Sequence, residues 1–503
     1  MTQLPNLLFT ASQTRELDRL AIEEFGISAN ILMERAGDAA FRLMRSRWPE
    51  ARRIAVFCGT GNNGGDGYVL ARLAREQQLE VTVYQVGGNG KIQGDALAAM
   101  QRLYGVDVSP VIYTDQSLDK QDLIVDGLLG TGIRGKVASD YHSAINAINN
   151  AQKPVLALDV PSGINADTGA VCGVAVRASC TMCFIGLKPG LFTGSGAEYA
   201  GEVHFTGLNI SHKVYDKQIP VARRLDYSTL KLLLPVRPRD AHKGDFGHVL
   251  IIGGDLGMSG AVRLSAEAAL RCGAGLVSVA TREQHAAYIN SQRPEIMSHG
   301  VEQVEQLSAL IEKASVIVIG PGLGQEAWAE DMLGAALKSD RPIVIDADAL
   351  NILANQKQFV NLVQRPNCIF TPHPGEAARL LGYGNVNRGG KQIQADRFEA
   401  VTALIKKYSG VWLLKGSGTL VASDQGIGLC NAGNPGMASG GMGDVLSGVI
   451  AGFIAQQLDC LTAAQLGVCL HAEAGDAAVK SVGERGLLAS DLMPWIRRLA
   501  NPQ

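Results

Sequence analysis

The residues best suited to chemistry sit in one short segment, Ser439–Gly448, which reads SGGMGDVLSG. Gly440, Gly441 and Gly443 precede a helical pattern that Asp444 begins. Backbone N–H groups at such a start can hold a transferring phosphoryl group, and the adjacent carboxylate can accept a proton from an attacking hydroxyl. A Gly-rich turn with Asp444 as an ordinary N-cap is the plainer alternative. It leaves four other segments of the same half unexplained: KGDFGHVLIIGGD at 243–255, GPGLG at 320–324, TPHPGE at 371–376 and KGSGT at 415–419. Lys415 at a strand end, followed by Gly-Ser-Gly-Thr, reads as a nucleotide phosphate contact. No GxxxxGKS or GxxxxGKT occurs in the chain, so this is not a P-loop NTPase. His373 lies between two prolines that fix its backbone, and it reads either as a substrate contact or as a structural histidine.

The first half carries its own set. GTGNNGGDG, Gly59–Gly67, follows an apolar run and opens a helical pattern. Its glycines let the backbone approach a ligand, and the helix start offers free N–H groups to a phosphate. Gly59, Gly61 and Gly64 match GxGxxG, but the next strand ends in Gly87 and Gly88 without the acid that an ordinary dehydrogenase needs. Three further segments fall at strand ends: DGLLGTGIRGK at 126–136, DVPSG at 159–163 and GLKPG at 186–190. Asn63, Asp126 and Ser162 supply hard oxygen ligands, suited to an alkali or alkaline-earth cation and not to zinc. Asp159 ends an apolar strand, where partial burial can raise its pKa and make it an acid/base. Taken singly, each Asp reads first as a cap or turn residue, and it is the four polar loops together that favour a site.

The elements that must position these residues alternate. Apolar runs at 54–58, 81–86, 123–125, 155–158, 181–185 and 203–208 are separated by helical patterns, after an opening helical stretch over 12–47 broken near Gly26. The pattern is that of a parallel sheet covered on both faces. It stops in a stretch rich in charges that contains Pro220, Pro235 and Pro238. The division read here is a first domain over 1–216, a linker over 217–225 and a second domain over 226–503. A second alternation follows, with strand candidates at 249–252, 276–280, 316–319, 343–345, 368–371 and 411–414. A hairpin pattern covers 419–430, and helical segments cover 444–457 and 462–482.

Composition agrees with this class. The chain has 503 residues, 46% hydrophobic and 19% charged, so it can bury large cores. Its 59 glycines exceed the usual share of about 7%, as expected where many tight strand-to-helix turns recur. The fold class is α/β. A net charge of -2 excludes a large basic field for nucleic acid or an anionic membrane. No apolar run approaches the length of a membrane span, and the first residues lack the basic start of a signal peptide, so the expected compartment is the cytoplasm. Nine scattered cysteines, with Cys180 and Cys183 as a lone CxxC, read as reduced core residues and not as a zinc site.

The motifs together resemble a known family. GTGNNGGDG, GLLGTGIRG and DVPSG resemble NAD(P)H-hydrate epimerases, with a Rossmann-like three-layer αβα domain. KGDFGHVLIIGG, GPGLG, TPHPGE, LKGSGT and ASGGMGDVLSG resemble ADP-dependent NAD(P)H-hydrate dehydratases, with a ribokinase-like αβα domain. Both in this order are similar to the bifunctional NAD(P)H-hydrate repair enzymes, over residues 10–500. The resemblance implies that the first domain interconverts the R and S epimers of hydrated NADH or NADPH. The second would dehydrate the S form with ADP through a phosphorylated intermediate, releasing AMP, phosphate and NAD(P)H.

It also implies site residues. Asn62, Asn63, Gly64, Gly65 and Asp66, with Gly130, Thr131, Gly132, Ile133, Arg134, Gly135 and Lys136, would hold the hydrated coenzyme, with Asp159 beside its damaged ring. Asn63, Asp126 and Ser162 would bind potassium. Ala261, Gly322, His373 and Asp444 would contact the dehydratase substrate, and Lys415, Gly416, Ser417, Gly418, Thr419 and Gly443 would contact ADP. Asp444 and Asp159 would be catalytic, magnesium would accompany ADP, and a homo-oligomer is expected. Two rival readings remain at this level. One is a small-molecule kinase that releases a stable phosphorylated product. The other makes the first half a non-catalytic binding module, similar to domains of RNA-processing scaffold proteins.

Overall fold

The computed structural model describes residues 4–501 apart from Arg134 and Asn385. The chain divides into two compact units, Met1–Arg223 and Arg224–Gln503. In the first unit β1 (Leu7–Leu8), α1 (Ala11–Glu23) and α2 (Ala29–Arg47) precede β2 (Arg53–Cys58) and α3 (Asn62–Glu76). Then follow β3 (Glu80–Gln85), β4 (Val111–Ile112), β5 (Leu123–Gly127), β6 (Val155–Leu158), β7 (Cys180–Phe184), β8 (Glu202–Thr206) and β9 (Ala222–Arg224). The unit boundary falls inside the stretch read as a linker. That stretch is not all connector, because Ala222 and Arg223 pair antiparallel with Leu8 and Leu7. Proline and charge mark an irregular segment well, but they do not reveal a three-residue strand inside it.

One sheet runs in the order β4-β3-β2-β5-β6-β7-β8, every neighbouring pair parallel. The order reverses at β2, as in the Rossmann arrangement, and such a reversal opens a crevice at the carboxyl ends of β2 and β5. Alternate residues of β2 explain the layers. Ile54, Val56 and Cys58 pack into a core with α1, α2 and α3, while Ala55 and Phe57 pack on the opposite face with Ala144, Ile145 and Ile148. Both faces are therefore apolar, which is why the strand reads as one continuous apolar run. Helix α1 starts at a reciprocal cap: Gln13 N–H donates to Thr10 Oγ1 (3.1 Å), and Thr10 N–H donates to Gln13 Oε1 (3.0 Å).

The second unit contains β10 (His248–Ile252), β11 (Leu276–Thr281), β12 (Ile296–Gly300), β13 (Val316–Ile319), β14 (Ile343–Ile345), β15 (Cys368–Phe370), β16 (Val411–Leu414), β17 (Thr419–Ser423) and β18 (Gly426–Cys430). They lie in the order β18-β17-β16-β15-β14-β13-β10-β11-β12. Pairs from β12 to β16 are parallel, and the β16–β17 and β17–β18 pairs are antiparallel. Here the order reverses between β10 and β13. Val249, Ile251, Val316 and Val318 pack against the helices Ser259–Cys272 and Met442–Ala455. Helices Val304–Lys313 and Ala327–Leu337 contact the same strands, β10 and β13. The two central helices touch closely enough that a Cβ at Gly448 would lie 2.0 Å from the Ser265 carbonyl oxygen. Strand β12, with sequence IMSHG, is absent from the sequence expectation because its polar residues and terminal Gly hide the strand pattern.

The glycines of 59–67 owe part of their density to packing. A Cβ at Gly59 would lie 1.8 Å from the Leu128 carbonyl oxygen, whereas Gly61 has open space around it. Gly59→Ala should therefore cost roughly 3 kcal/mol, and Gly61→Ala less than about 1 kcal/mol. Denaturant unfolding of the full chain, followed through the first unit's transition, checks the pair. Equal midpoints for the two variants would remove the packing account.

Candidate functional site

The first site lies at the carboxyl edge of the first sheet. A cavity of about 480 Å³ opens where β2, β5, β6 and β7 end, roofed by α1 and α2. Asn62, Asn63, Asp66, Gly130, Thr131, Gly132, Ile133 and Asp159 all line it. Gly64 and Gly65 are buried in the first turn of α3, where Gly65 faces the Met33 thioether, so they shape the wall from behind. Gly135 and Lys136 are exposed and lie outside the cavity lining. Arg134 lies outside the described residues.

Asp159 directly follows β6 and adopts φ +63°, a left-handed conformation that a non-glycine residue pays strain to hold. Its Oδ1 accepts from the Phe184 N–H (3.2 Å) and from Lys188 Nζ. The Lys188 side chain is fully buried, and Nζ also donates to the Phe184 carbonyl (2.9 Å) and faces Cys183 Sγ at 3.6 Å. Burial pushes the Lys188 ammonium down, but Asp159, Cys183 and Asp18 together outweigh it and the net direction is up. Two more carboxyls stand on the same cavity wall. Burial pushes Asp18 up to about 6, with Lys188 opposing and Asp159 reinforcing. Burial, then Asp159 and Asp18, hold Asp66 well above the usual carboxylate range. The result is an ammonium–carboxylate pair beside a carboxyl that keeps its proton at neutral pH, a set able to give and take protons.

Lys188 and Asp18 carry no role in the sequence reading. The signal for Lys188 is a lysine inside the otherwise apolar FIGLKPGLF run. The signal for Asp18 is its spacing of four from Thr14 on the face of α1 that also buries Leu17 and Ala21.

Behind the cavity Asp126 is fully buried. Its Oδ1 accepts from Ser162 Oγ (2.6 Å) and the Leu128 N–H (3.2 Å), and its Oδ2 accepts from the Ser162 N–H (2.8 Å). Burial pushes this carboxyl up to about 6, against the opposing pull of those hydrogen bonds. Asn63 stands against the loop that follows Asp126: its side chain lies within van der Waals reach of the Gly130 Cβ position, and both its side-chain polar atoms are buried without a partner. A buried carboxyl and, against the loop it opens, an orphaned amide oxygen fit a weakly hydrated cation held by oxygens. Among the described residues, no group of three or more His, Cys, Asp or Glu is arranged to hold a metal ion.

The second site lies at the carboxyl edge of the second sheet. Asp346 directly follows β14 and is 1% exposed. Its Oδ1 accepts from Thr371 Oγ1 (2.6 Å), Lys415 Nζ (2.9 Å) and the Ala347 N–H (2.9 Å). Helix Met442–Ala455 starts against this pair: the Cβ position of Gly443 is 3.2 Å from Lys415 Nζ and 3.7 Å from Asp346 Oδ2. Asp444 follows in the first turn. Burial, reinforced by Asp346 and opposed by Lys415, pushes its carboxyl up to about 7.

His373 caps the helix Pro374–Leu381. Its Nδ1 accepts from the Gly375 (2.9 Å) and Glu376 (3.4 Å) N–H groups, which leaves the proton of the neutral ring on Nε2. Burial and then Lys415 hold the ring down at about 4, so it is neutral at pH 7. Burial pushes its neighbour Glu376 up to about 7. Gly322 and Ala261 meet across the reversal of strand order, with the Cβ position of Gly322 at 3.2 Å from Ala261 Cβ. Gly320, two residues earlier, abuts the Asp346 backbone, and Gly441 abuts Leu264, so the expected substrate loops and the Asp444 turn share one edge. In the loop from Lys415 to Thr419, Gly416 and Ser417 are exposed and Gly418 is buried. Asp346 and Glu376 were not singled out from sequence. An apolar strand ending in Asp is the signal for Asp346, the same one that drew attention to Asp159.

A family model described as NAD(P)H-hydrate dehydratase matches residues 249–498, and one described as YjeF-related protein N-terminus matches residues 29–190. The bifunctional NAD(P)H-hydrate repair enzyme of Coxiella burnetii is 50% identical over 497 residues, covering 99% of this chain and 100% of that one. Its counterpart of the same name in Escherichia coli is 41% identical, covering 99% of this chain and 95% of that one. A crystal structure of the ADP/ATP-dependent NAD(P)H-hydrate dehydratase from Bacillus subtilis, crystallised with ATP and Mg2+, is 28% identical. It covers 55% of this chain and 96% of that one, with a TM-score of 0.47.

Proposed function

Because this chain belongs to the family of bifunctional NAD(P)H-hydrate repair enzymes, we propose that it restores hydrated NADH and NADPH in two steps, one at each strand-edge site. The first unit interconverts the R and S epimers. The second dehydrates the S form with ADP. The observation that carries the dehydratase reading is the Asp444 carboxyl, held up to about 7 in a helix's first turn beside the pair of buried Asp346 and half-buried Lys415.

Hydroxide leaves poorly at neutral pH, so the hydroxyl must be activated. Asp444 takes the hydroxyl proton, the oxygen bonds to the β-phosphorus of ADP, and the bond from that phosphorus to the AMP oxygen breaks. Backbone N–H groups at the helix start, with Lys415, stabilise the charge on the phosphoryl group in flight. Phosphate then leaves as the ring nitrogen lone pair moves in, and loss of a proton from the neighbouring ring carbon restores the double bond. His373, neutral with its proton on Nε2, offers a hydrogen bond to the substrate. Magnesium would neutralise the ADP phosphates, with the Asp346 carboxylate to hold it.

In the first unit Asp159 shuttles the proton while one bond of the hydrated carbon, to the ring nitrogen or to the hydroxyl, opens and re-forms on the other face, with Lys188 fixing its charge. Asn62, Asn63, Asp66 and Gly130–Ile133 bind the coenzyme. Asn63, Asp126 and Ser162 would hold potassium, whose positive charge balances the buried Asp126. We read the protein as a cytoplasmic homo-oligomer. No helix among the described residues is long and apolar enough to cross a membrane.

Chemically hydrated NADH containing both epimers, supplied with ADP, magnesium and potassium, tests the reading. Return of reduced-nicotinamide absorbance for the whole substrate, above the non-enzymatic epimerisation blank, is expected. Recovery that stops at the S half would sink the epimerase. No recovery would sink the dehydratase, and release of a stable phosphorylated product would move the chain to the small-molecule kinases.

The dehydratase should also respond to pH with a defined sign. Asp444 must be ionised to act as base, so kcat/KM should fall about tenfold per unit below pH ~6 and level off above pH ~8. Glu376 lies in the same range, so Glu376→Gln should keep this limb. Loss of the limb in that variant would transfer the titration to Glu376.

A further inference from the structure

Arg397 opens the helix Arg397–Tyr408, and its side chain is among the largest fully buried ones. It lies behind the loop that follows β16. Its Nη2 donates to the carbonyls of Leu414 (2.9 Å), Lys415 (3.3 Å) and Gly418 (3.3 Å). Its Nη1 donates to the Lys415 carbonyl (3.3 Å) and to Gln394 Oε1 (2.7 Å). Nε is buried without a partner. Among the described residues, no carboxylate forms an ion pair with this guanidinium. The loop also leaves no room between itself and the charge, since a Cβ at Gly416 would lie 2.9 Å from Nη1.

A buried cation that meets only neutral oxygens is costly, and proteins usually answer it with a carboxylate. Burial holds this one down at about 10, so it stays charged at neutral pH. Its hydrogen bonds also orient the loop. In a planar trans peptide the C=O and the following N–H point opposite ways. The Lys415 carbonyl is turned inward onto Arg397, so the Gly416 N–H is turned outward, at an exposed position. The loop therefore presents a donor on its outer side and has an unneutralised positive charge on its inner side. The missing counter-charge is an anion bound outside.

We propose that Arg397 is a positioning residue for the diphosphate of ADP: it fixes the loop so that its N–H faces the phosphates, and it supplies a buried positive charge beneath them. The site then favours the phosphate-bearing nucleotide over the uncharged nucleoside. This inference rests on the reading of the Lys415–Thr419 loop as the ADP site.

Calorimetric titration of the full-length chain with ADP and with adenosine tests it, using Arg397→Met and Arg397→Lys. In Arg397→Met, ADP affinity should fall at least about tenfold while adenosine affinity stays within about threefold, since only the phosphates feel the lost charge. In Arg397→Lys at pH 7 the preference for ADP should largely survive. It should then decline toward pH 9 as the buried ammonium loses its proton, while the wild type, held at about 10, keeps most of it over the same range. A folded Arg397→Met with an unchanged ratio of ADP to adenosine affinity overturns the proposal. If that variant does not fold, Arg397→Lys decides: a ratio that does not move between pH 7 and 9 overturns it equally. Wild-type protein that fails to bind ADP would sink the nucleotide reading and this inference with it. Wild-type protein that binds ADP with a ratio indifferent to Arg397 sinks the inference alone.

Discussion

Asp444→Asn should lower dehydration by roughly 10³-fold, within the range that a general base contributes, and leave epimerisation within about twofold. The substitution keeps size, hydrogen-bonding reach and position in the first helical turn, and removes only the capacity to take a proton. The unaffected epimerase follows from the two compact units, each with its own site. Folding should not suffer. Burial raises the Asp444 carboxyl in the folded chain, so ionising it costs stability as pH climbs from its unfolded value toward about 7. An amide carries no such cost, and the melting temperature at pH 8 should hold or rise. The assay must follow AMP, phosphate and reduced nicotinamide together, because all three depend on the same first transfer. Full dehydratase activity in Asp444→Asn would remove the base assignment. Loss of AMP release with continued return of NADH would require a route that bypasses ADP.

How far the sequence could be read depended on distance along the chain. Strands buried on both faces were legible because their apolar runs need no partner to be recognised, as with Val316–Ile319 and Ile343–Ile345. Glycine-dense turns marked the strand ends, and with them Asp159, Asp444, Lys415 and His373. What stayed hidden were partners joined only by folding. Lys188 meets Asp159 across 29 residues, and Lys415 meets Asp346 across 69. Neither pairing leaves a local pattern, since each charged residue sits singly in an apolar or Gly-rich context. Arg397 was hidden differently: on a helix, an arginine reads as solvent-facing until its burial is known. Short strands such as β4 and β9 carry too few residues to display a period. The coenzyme loop was read two ways at once. Sequence alone suggests ligand approach at Gly59 and Gly64, yet their Cβ positions collide with the protein's own carbonyls, so packing by itself asks for glycine at both places.

Asp159→Asn should slow conversion of the R to the S epimer by roughly 10³-fold, but this substitution cannot be interpreted from its rate alone. Asparagine tolerates the left-handed backbone at this position and can still accept from the Phe184 N–H. It cannot balance the Lys188 ammonium, whose side chain is fully buried. Breaking one side of such a pair costs about 3 kcal/mol or more. Some of that loss is relieved if Lys188 gives up its proton, the direction in which burial pushes it once Asp159 is neutral. A slow, partly unfolded variant would then mimic a catalytic defect. The double variant Asp159→Asn/Lys188→Met separates the two, because it removes both charges and leaves an apolar stem in the same space. It should regain most of the lost stability while staying as slow as the single variant. Dehydration of purified S epimer by both variants should match wild type, since that chemistry belongs to the other unit. A double variant that recovers both stability and epimerisation would show that the pair serves folding, and would move proton transfer to Asp66 or Asp18, the two carboxyls that share the cavity and hold their protons toward neutral pH.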